Sequence, residues 1–208
     1  MNDEKLIYQG AEAKIILSTF LSKTVVKKHR IKKTYRIKEI DEVLISSRTK
    51  EEAKLIHLAR KQGVCVPSLF DVDLTNGIIT MSYIKGDRVK DIFDTIDKKK
   101  RKELCIMIGK NIARLHNKDL IHGDITTSNM ILSDNKVFFI DFGLGEINHE
   151  LESKGVDLHV LMEAMESTHS KNANDFEYVL EGYEKEYHGD IKRVKKKIED
   201  IVKRGRYR

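Results

Sequence analysis

The chain has 208 residues, 40% hydrophobic and 35% charged, with 39 Lys and Arg against 33 Asp and Glu and a formal net charge of +6. That length fits one packed domain or two small lobes sharing a cleft, at roughly 100–200 residues per domain. The composition is too apolar for a disordered chain, and no apolar run approaches the roughly 18 residues of a membrane span, so the expectation is a soluble globular protein with no membrane partner.

The opening residues, Met1-Asn2-Asp3-Glu4-Lys5-Leu6-Ile7, lack the layout of a secretory signal, and Cys65 and Cys105 stand apart in apolar contexts with neither disulfide nor zinc-ligand spacing. A reducing, cytoplasmic location is expected. Residues 13–20 and 24–28 are β-rich runs separated by a short polar break, which predicts an antiparallel hairpin. A helix is predicted to begin at Arg48-Thr49-Lys50-Glu51-Glu52, with apolar positions at Ala53, Leu55, Ile56, Leu58 and Ala59, and to stop at Gly63 before Pro67. Thr75-Asn76-Gly77 predicts a tight turn into a strand over 78–84, and Gly86 marks the expected boundary between lobes at 1–85 and 86–208. Leu104, Ile108, Ile112 and Leu115 share one helical face running to His116. Two short strands, 130–132 and 137–140, follow, and then helical patterns near 156–167, 173–187 and 190–203. The order predicts an α+β protein: a small, mostly antiparallel β lobe with one helix, then a mostly helical lobe.

The positive charge is local. Residues 190–208 hold nine Lys or Arg against Asp190, Glu199 and Asp200, so the remaining chain sums to zero. A second block, Lys23 to Lys38, has eight basic residues and no acid. In the tail, Lys203, Arg204, Arg206 and Arg208 are candidates for phosphate contacts with a nucleic acid; a solvated Lys-rich helix face is the plainer reading.

Polar residues concentrate in Leu120-Ile121-His122-Gly123-Asp124-Ile125-Thr126-Thr127-Ser128-Asn129, followed by Ile140-Asp141-Phe142-Gly143. His-x-Asp-x4-Asn, two short strands and then Asp-Phe-Gly is the set of groups that phosphoryl transfer needs. Asp124 would orient a hydroxyl and accept its proton, while Asn129 and Asp141 would hold magnesium against the phosphates of ATP. His122 is expected to brace its loop, since Asp124 already occupies the base position. His116, His159 and His169 show no ligand spacing.

The first half should then hold the nucleotide. Alternation places Val26 and Lys28 on one strand face, so Val26 can roof the base while Lys28 reaches the phosphates; a one-residue register shift would exchange Lys28 for Lys27. Glu52 is the natural ion-pair partner, although Thr49-x-x-Glu52 also reads locally as a capping box. Gly10-Ala11-Glu12-Ala13 stands where a phosphate-covering loop would lie, with a single glycine. Met81 would gate the pocket, and the backbone of Ser82, Tyr83 and Ile84 would face adenine.

Together these residues resemble a reduced, two-lobed protein-kinase-like fold, and specifically the small RIO-related atypical kinases of the KEOPS complex. The resemblance runs through Gly10-Ala11-Glu12-Ala13, Lys28-His29-Arg30-x2-Lys33-x-Tyr35-Arg36, Arg48-Thr49-x2-Glu52-Ala53 and His122 to Asn129. It continues through Asp141-Phe142-Gly143-Leu144-Gly145 and Lys154-x-Val156-Asp157-Leu158 to Arg204-Gly205-Arg206. It implies an atypical serine/threonine kinase or ATPase using ATP and magnesium. It also implies as partners the threonylcarbamoyl-transferring KEOPS subunit, the other KEOPS subunits and tRNA. Departures from ordinary protein kinases are equally informative. Pro67 is the only proline, so no Ala-Pro-Glu follows Asp141, and Asp157, the expected buried anchor of the next helix, follows Asp141 by only sixteen positions. Gly123 replaces the arginine that would pair with a loop phosphate. A peptide-docking platform does not fit, and ATP hydrolysis is the more natural activity. The alternative is a small-molecule kinase of the aminoglycoside or choline kinase type, for whose larger helical lobe the chain leaves little room. A binding module with a decayed site is disfavoured by the intact Lys28, Glu52, Asp124, Asn129 and Asp141.

Overall fold

The computed structural model describes residues 4–205, which divide by internal contacts into two units. The first runs to His57 and includes Pro67–Lys85; the second takes Leu58–Val66 and the chain from Gly86 onward. Arg206 and Arg208 lie outside the described residues.

In the first unit five strands form one antiparallel sheet: β1 (Lys5–Gln9), β2 (Ala13–Phe20), β3 (Lys23–Arg30), β4 (Leu69–Asp73) and β5 (Ile78–Ser82), in the order β1-β2-β3-β5-β4. The predicted hairpin is β2–β3, closed by Leu21 and Ser22 at φ 47° and 62°, both in the left-handed region that suits the twist of a two-residue turn. Strand β1 carries no signal in the sequence because all five of its residues are exposed, leaving no apolar face to alternate. The 75–77 turn is fixed by Asp73, whose Oδ1 accepts from Asn76 N at 2.9 Å and Oδ2 from Asn76 Nδ2 at 2.7 Å.

Helix α1 (Lys38–Lys61), which belongs to this unit as far as His57, starts ten residues before the predicted Arg48. Its first turns expose Ile40 and Val43, so apolar periodicity is silent there. The anchor is polar: buried Asp41 accepts from Lys33 N at 3.0 Å and Arg36 Nη1 at 3.2 Å. The capping-box reading of Thr49-x-x-Glu52 does not hold. Thr49 lies mid-helix and its hydroxyl donates to Ile45 O at 2.7 Å. Asp41, Ile45, Thr49, Glu52, Ala53 and Ile56 make one buried stripe. Ala53 packs with Ile79 and Met81 of β5, and Val26, Leu69 and Val72 close around them. Full burial of each aliphatic side chain contributes about 1.5–3 kcal/mol, so this stripe fixes the helix on the sheet face that carries Val26 and Lys28.

The second unit contains β6 (Asp87–Arg88), α2 (Val89–Ile92), α3 (Lys98–His116), β7 (Leu120–Ile121), β8 (Met130–Ser133), β9 (Lys136–Phe139), β10 (Glu146–Ile147), α4 (Leu151–Thr168), α5 (Phe176–Glu186) and α6 (Ile191–Gly205). β6, β8 and β9 form a small antiparallel sheet, and β7 pairs with β10. Helices α3 and α5 approach until Cβ atoms no longer fit: one on Gly109 would lie 2.0 Å from Val179 O, and one on Gly182 2.2 Å from Ile106 O. Both cysteines are free; Cys65 is half-buried, while burial pushes the Cys105 thiol up to about 12, as for an inert core residue. No helix among the described residues is long and apolar enough to cross a membrane.

Candidate functional site

On β3 the alternation puts Val26, Lys28 and Arg30 on one face and Lys27 on the other. Lys28 Nζ lies 2.6 Å from Glu52 Oε1, whereas Lys27 Nζ pairs with Glu4 Oε1, also at 2.6 Å. Lys28 therefore meets the α1 carboxylate. The second oxygen of Glu52 is equally engaged: Arg30 Nη2 donates to Oε2 at 2.6 Å. Lys28, Arg30 and Glu52 are 7%, 6% and 1% exposed, so the carboxylate is compensated by cations and not by water. Sequence reasoning paired Lys28 with Glu52 and placed Arg30 in the family resemblance without giving it a role, although the same period-two rule carries from Lys28 to it.

The loop before β2 is braced by cations. Gly10 N donates to Ala13 O at 3.0 Å, Lys33 Nζ donates to Ala11 O, and Arg48 Nη1 lies 3.3 Å from Glu12 Oε2. At the other end of the sheet, Met81 is 8% exposed and belongs to the core around Ala53. Ser82 N donates to Ser68 O at 2.8 Å and Tyr83 N to Thr24 O at 3.4 Å. Those two amides are spent within the unit, and any amide contact to a base falls to Ile84.

In the second unit β7 leads into the His122–Asn129 loop, whose geometry is set from below by Asp157 of α4. Asp157 is 1% exposed; its Oδ1 accepts from Gly123 N and its Oδ2 from His122 N, both at 2.8 Å, with His116 Nε2 at 3.2 Å from Oδ2. Burial alone would raise this carboxyl, but the His116 hydrogen bond, the neighbouring imidazoles and the His122 amide outweigh it and hold the group below the usual range. Gly123 sits at φ +81°, where an added Cβ would stand 2.1 Å from Leu144 O. Glycine is the residue that fits.

His122 is held neutral by burial, against the pull of Asp157, Asp141 and Asp124. Its Nε2 faces Ile140 O at 3.2 Å and must carry the proton, leaving Nδ1 to accept from Asp124 N at 3.4 Å. The Phe142 ring packs 4.4 Å away, centroid to centroid. His122 thus braces the loop.

Asp124 and Asn129 are tied together: Asn129 Nδ2 donates to Asp124 Oδ2 at 2.8 Å and to Asp124 O at 3.0 Å. With the NH2 end so occupied, Asn129 Oδ1 is the end left to accept a cation. Ile140 N donates to Asn129 O at 3.0 Å, which brings the exit of β9 beside this loop. There Asp141 adopts φ +64°, unusual for a non-glycine residue, with Gly143 N donating to its Oδ1 at 3.2 Å. Asn129 Oδ1 and the exposed Asp141 carboxylate are hard oxygen donors of the kind magnesium takes, one or two from protein and the rest from phosphate and water. Among the described residues no group of three or more His, Cys, Asp or Glu could hold a metal unaided. The donor set fits a metal that arrives with a phosphate ligand.

On α6, Val194 and Ile198 are buried and the cations divide. Lys195 pairs with Glu184 at 3.2 Å, while Lys197 at 2.8 Å and Arg204 both pair with Glu152. Arg204, a candidate phosphate contact, is therefore already matched. Lys203 is exposed and has no acidic partner among the described residues.

A family model described as RIO domain matches residues 13–153. The whole chain is similar to the KEOPS complex subunit Bud32 of Pyrococcus abyssi, at 48% identity with 98% of this chain and 96% of that protein covered. It is also similar to proteins named "Probable bifunctional tRNA threonylcarbamoyladenosine biosynthesis protein". Those of Methanobrevibacter smithii and Methanothermobacter thermautotrophicus are each 45% identical over 98% and 97% of this chain, which spans only 37% and 36% of their lengths. Among solved structures, WaaP in complex with acyl carrier protein aligns with a TM-score of 0.65 over 93% of this chain and 82% of that one, at 10% identity, a likeness of fold alone. The α+β architecture, an antiparallel sheet with one helix followed by a mostly helical unit, is kinase-like.

Proposed function

We propose, because the chain belongs to the RIO-domain family, that it is an ATP- and magnesium-dependent atypical kinase or ATPase supporting threonylcarbamoyladenosine formation in tRNA as a subunit of KEOPS. Lys28, oriented by Glu52, binds the α and β phosphates; Gly10, Ala11, Glu12 and Ala13 cover them. Val26, Met81 and the Ser82–Ile84 backbone receive the base, with Ile84 supplying the amide. Asp124, held by Asn129 and by the His122 brace, orients the acceptor hydroxyl or water and accepts its proton. Asn129 and Asp141 hold magnesium, which neutralises charge on the phosphates as transfer proceeds. The acceptor is water or a serine or threonine hydroxyl. Hydrolysis is favoured, since the fifteen residues between Asp141 and Asp157 leave no peptide platform.

The observation that supports this reading most directly is the Asn129–Asp124 lock, which orders a base and a metal ligand within one loop. The partners are the threonylcarbamoyl-transferring subunit and the other KEOPS subunits, with tRNA approaching the basic α6 end. The small-molecule-kinase alternative is not favoured, because the relatives that match this chain along its length carry KEOPS and tRNA-modification names. The test is phosphate release from ATP with magnesium, wild type against Asp141→Ala, with and without tRNA and the transferring subunit. We expect turnover that requires Asp141, the variant losing about 100-fold or more. Turnover only with a small hydroxylated metabolite would move the assignment to the alternative, and nucleotide binding without turnover would make the chain a scaffold.

A further inference from the structure

We propose that Arg30 is a positioning residue for this reaction, holding Glu52 so that the Lys28–Glu52 pair stands formed before nucleotide arrives. The inference rests on the nucleotide role assigned to Lys28 above. Lys28 and Arg30 are two residues apart on one strand face, about 6.6 Å along β3 at roughly 3.3 Å per residue, and Glu52 projects from α1 between them. Each cation takes a different oxygen of the same carboxylate at 2.6 Å. With a lysine alone, Glu52 could turn both oxygens to the amine or swing away. With Arg30 on Oε2 the carboxylate is fixed at two points, and Lys28 is confined to Oε1.

The arginine is itself anchored. Its backbone N–H donates to Gly77 O at 3.0 Å and it pairs with Ala13 across β2. Its side chain is 6% exposed, and Nε is buried without a hydrogen-bond partner. An unsatisfied buried donor is unfavourable, and the guanidinium bears that cost while aiming Nη2 at Glu52. A lysine here would satisfy the charge but lacks the planar fork that fixes direction. Since Glu52 lies on the same buried stripe as Ile45, Thr49 and Ala53, the contact also fixes the rotation of α1 on the sheet. The ion pair is consequently built into the folded unit.

The experiment combines Arg30→Gln, Arg30→Lys, Glu52→Gln and the double variant Arg30→Gln/Glu52→Gln, read by kcat and KM for ATP and by urea unfolding. Arg30→Gln is expected to lower kcat about tenfold with KM changed less than about threefold, and Arg30→Lys, which keeps the charge without the fork, to recover only part of the loss. In the Glu52→Gln background, removal of Arg30 should add nothing, because it acts through that carboxylate. Multiplicative losses, a raised KM with kcat intact, or an unaffected kcat would each overturn the proposal. The unfolding cycle needs no activity: coupling of at least about tenfold in the equilibrium constant, some 1.4 kcal/mol, is expected, and coupling under about twofold overturns it. If wild type neither binds nor hydrolyses ATP in any mixture, the functional reading falls, and that cycle still decides whether Arg30 holds Glu52.

Discussion

Replacing Asp157 by Asn tests whether one buried carboxylate organises the His122–Asn129 loop. The native side chain accepts two backbone N–H groups on separate oxygens at 2.8 Å and His116 at 3.2 Å. An asparagine retains one acceptor oxygen, so its NH2 must face either the His122 or the Gly123 amide, donor against donor. One charge-assisted hydrogen bond is lost, worth about 1.5–3 kcal/mol, and one buried donor is left unsatisfied at about 1–3 kcal/mol. The expected loss is about 3–5 kcal/mol, a large share of the roughly 5–15 kcal/mol available to a domain.

The same residues fix the acid limb of stability, Asp157 and His122 each over its own pH range. Asp157 has a folded value below its unfolded one, so its contribution is complete above about pH 3.9 and is lost as pH falls through the lower folded value. His122 is also lowered in the fold, by burial; the unfolded chain takes up the proton first, and stability declines as pH drops below about 6.5. Wild type should therefore weaken from about pH 6.5 and again below about pH 4. The variant should lose the second limb and keep the first, which deepens because the charge that pulled His122 upward has gone. Urea denaturation followed by circular dichroism between pH 3 and 8 measures both. A loss under about 1 kcal/mol at pH 7, or a wild-type profile flat from pH 7 to 5, would refute this account of the loop.

Two further outcomes follow from the same geometry. Gly123→Ala forces a Cβ to 2.1 Å from Leu144 O at φ +81°, so a loss of about 3 kcal/mol or more is expected, read as a fall in Tm of roughly 6–12 °C for a chain of this size. An unchanged Tm would mean that the backbone of the loop can turn over without disturbing Asp124. For the tail, Lys195, Lys197 and Arg204 are matched by acids, which leaves Lys192, Arg193, Lys196, Lys203, Arg206 and Arg208 of the nine basic residues for phosphates. Six contacts give a slope of log K for tRNA against log[salt] near −5, and deletion of residues 203–208 should flatten it to about −3; an unaltered slope removes the tail from the interface.

Apolar periodicity located most elements in this chain because most elements bury apolar faces. It failed where anchoring is polar or absent. The first turns of α1 hang on Asp41 and expose Ile40 and Val43, so the apolar pattern begins only near Arg48, where Thr49-x-x-Glu52 also offers a capping box as a local alternative to the ion pair. Strand β1 pairs with β2 and has no buried side chain to mark it. The two-residue pairing of β7 with β10 is shorter than any period can register.

The site divides along a similar line. Asp124, Asn129, Asp141, Lys28 and Glu52 could be named as candidates because phosphoryl transfer would restrict residue type at fixed spacing: it would need a base, an amide oxygen, a metal carboxylate, a cation and its counter-charge. Arg30 and His116 were not, because each acts at one remove, on Glu52 and on Asp157, and nothing in phosphoryl transfer demands an arginine or a histidine there. Such supports become visible only when burial is known: a carboxylate 1% exposed must find cations or donors for both oxygens, and the sequence names at most one. Glu52 and Asp157 both meet that demand: Glu52 gives one oxygen to Lys28 and the other to Arg30, while Asp157 gives Oδ1 to the Gly123 amide and shares Oδ2 between the His122 amide and His116. The tool for finding such supports in related chains is thus the unfilled valence of a motif carboxylate, followed along the strand or helix to the next cation or imidazole on its face.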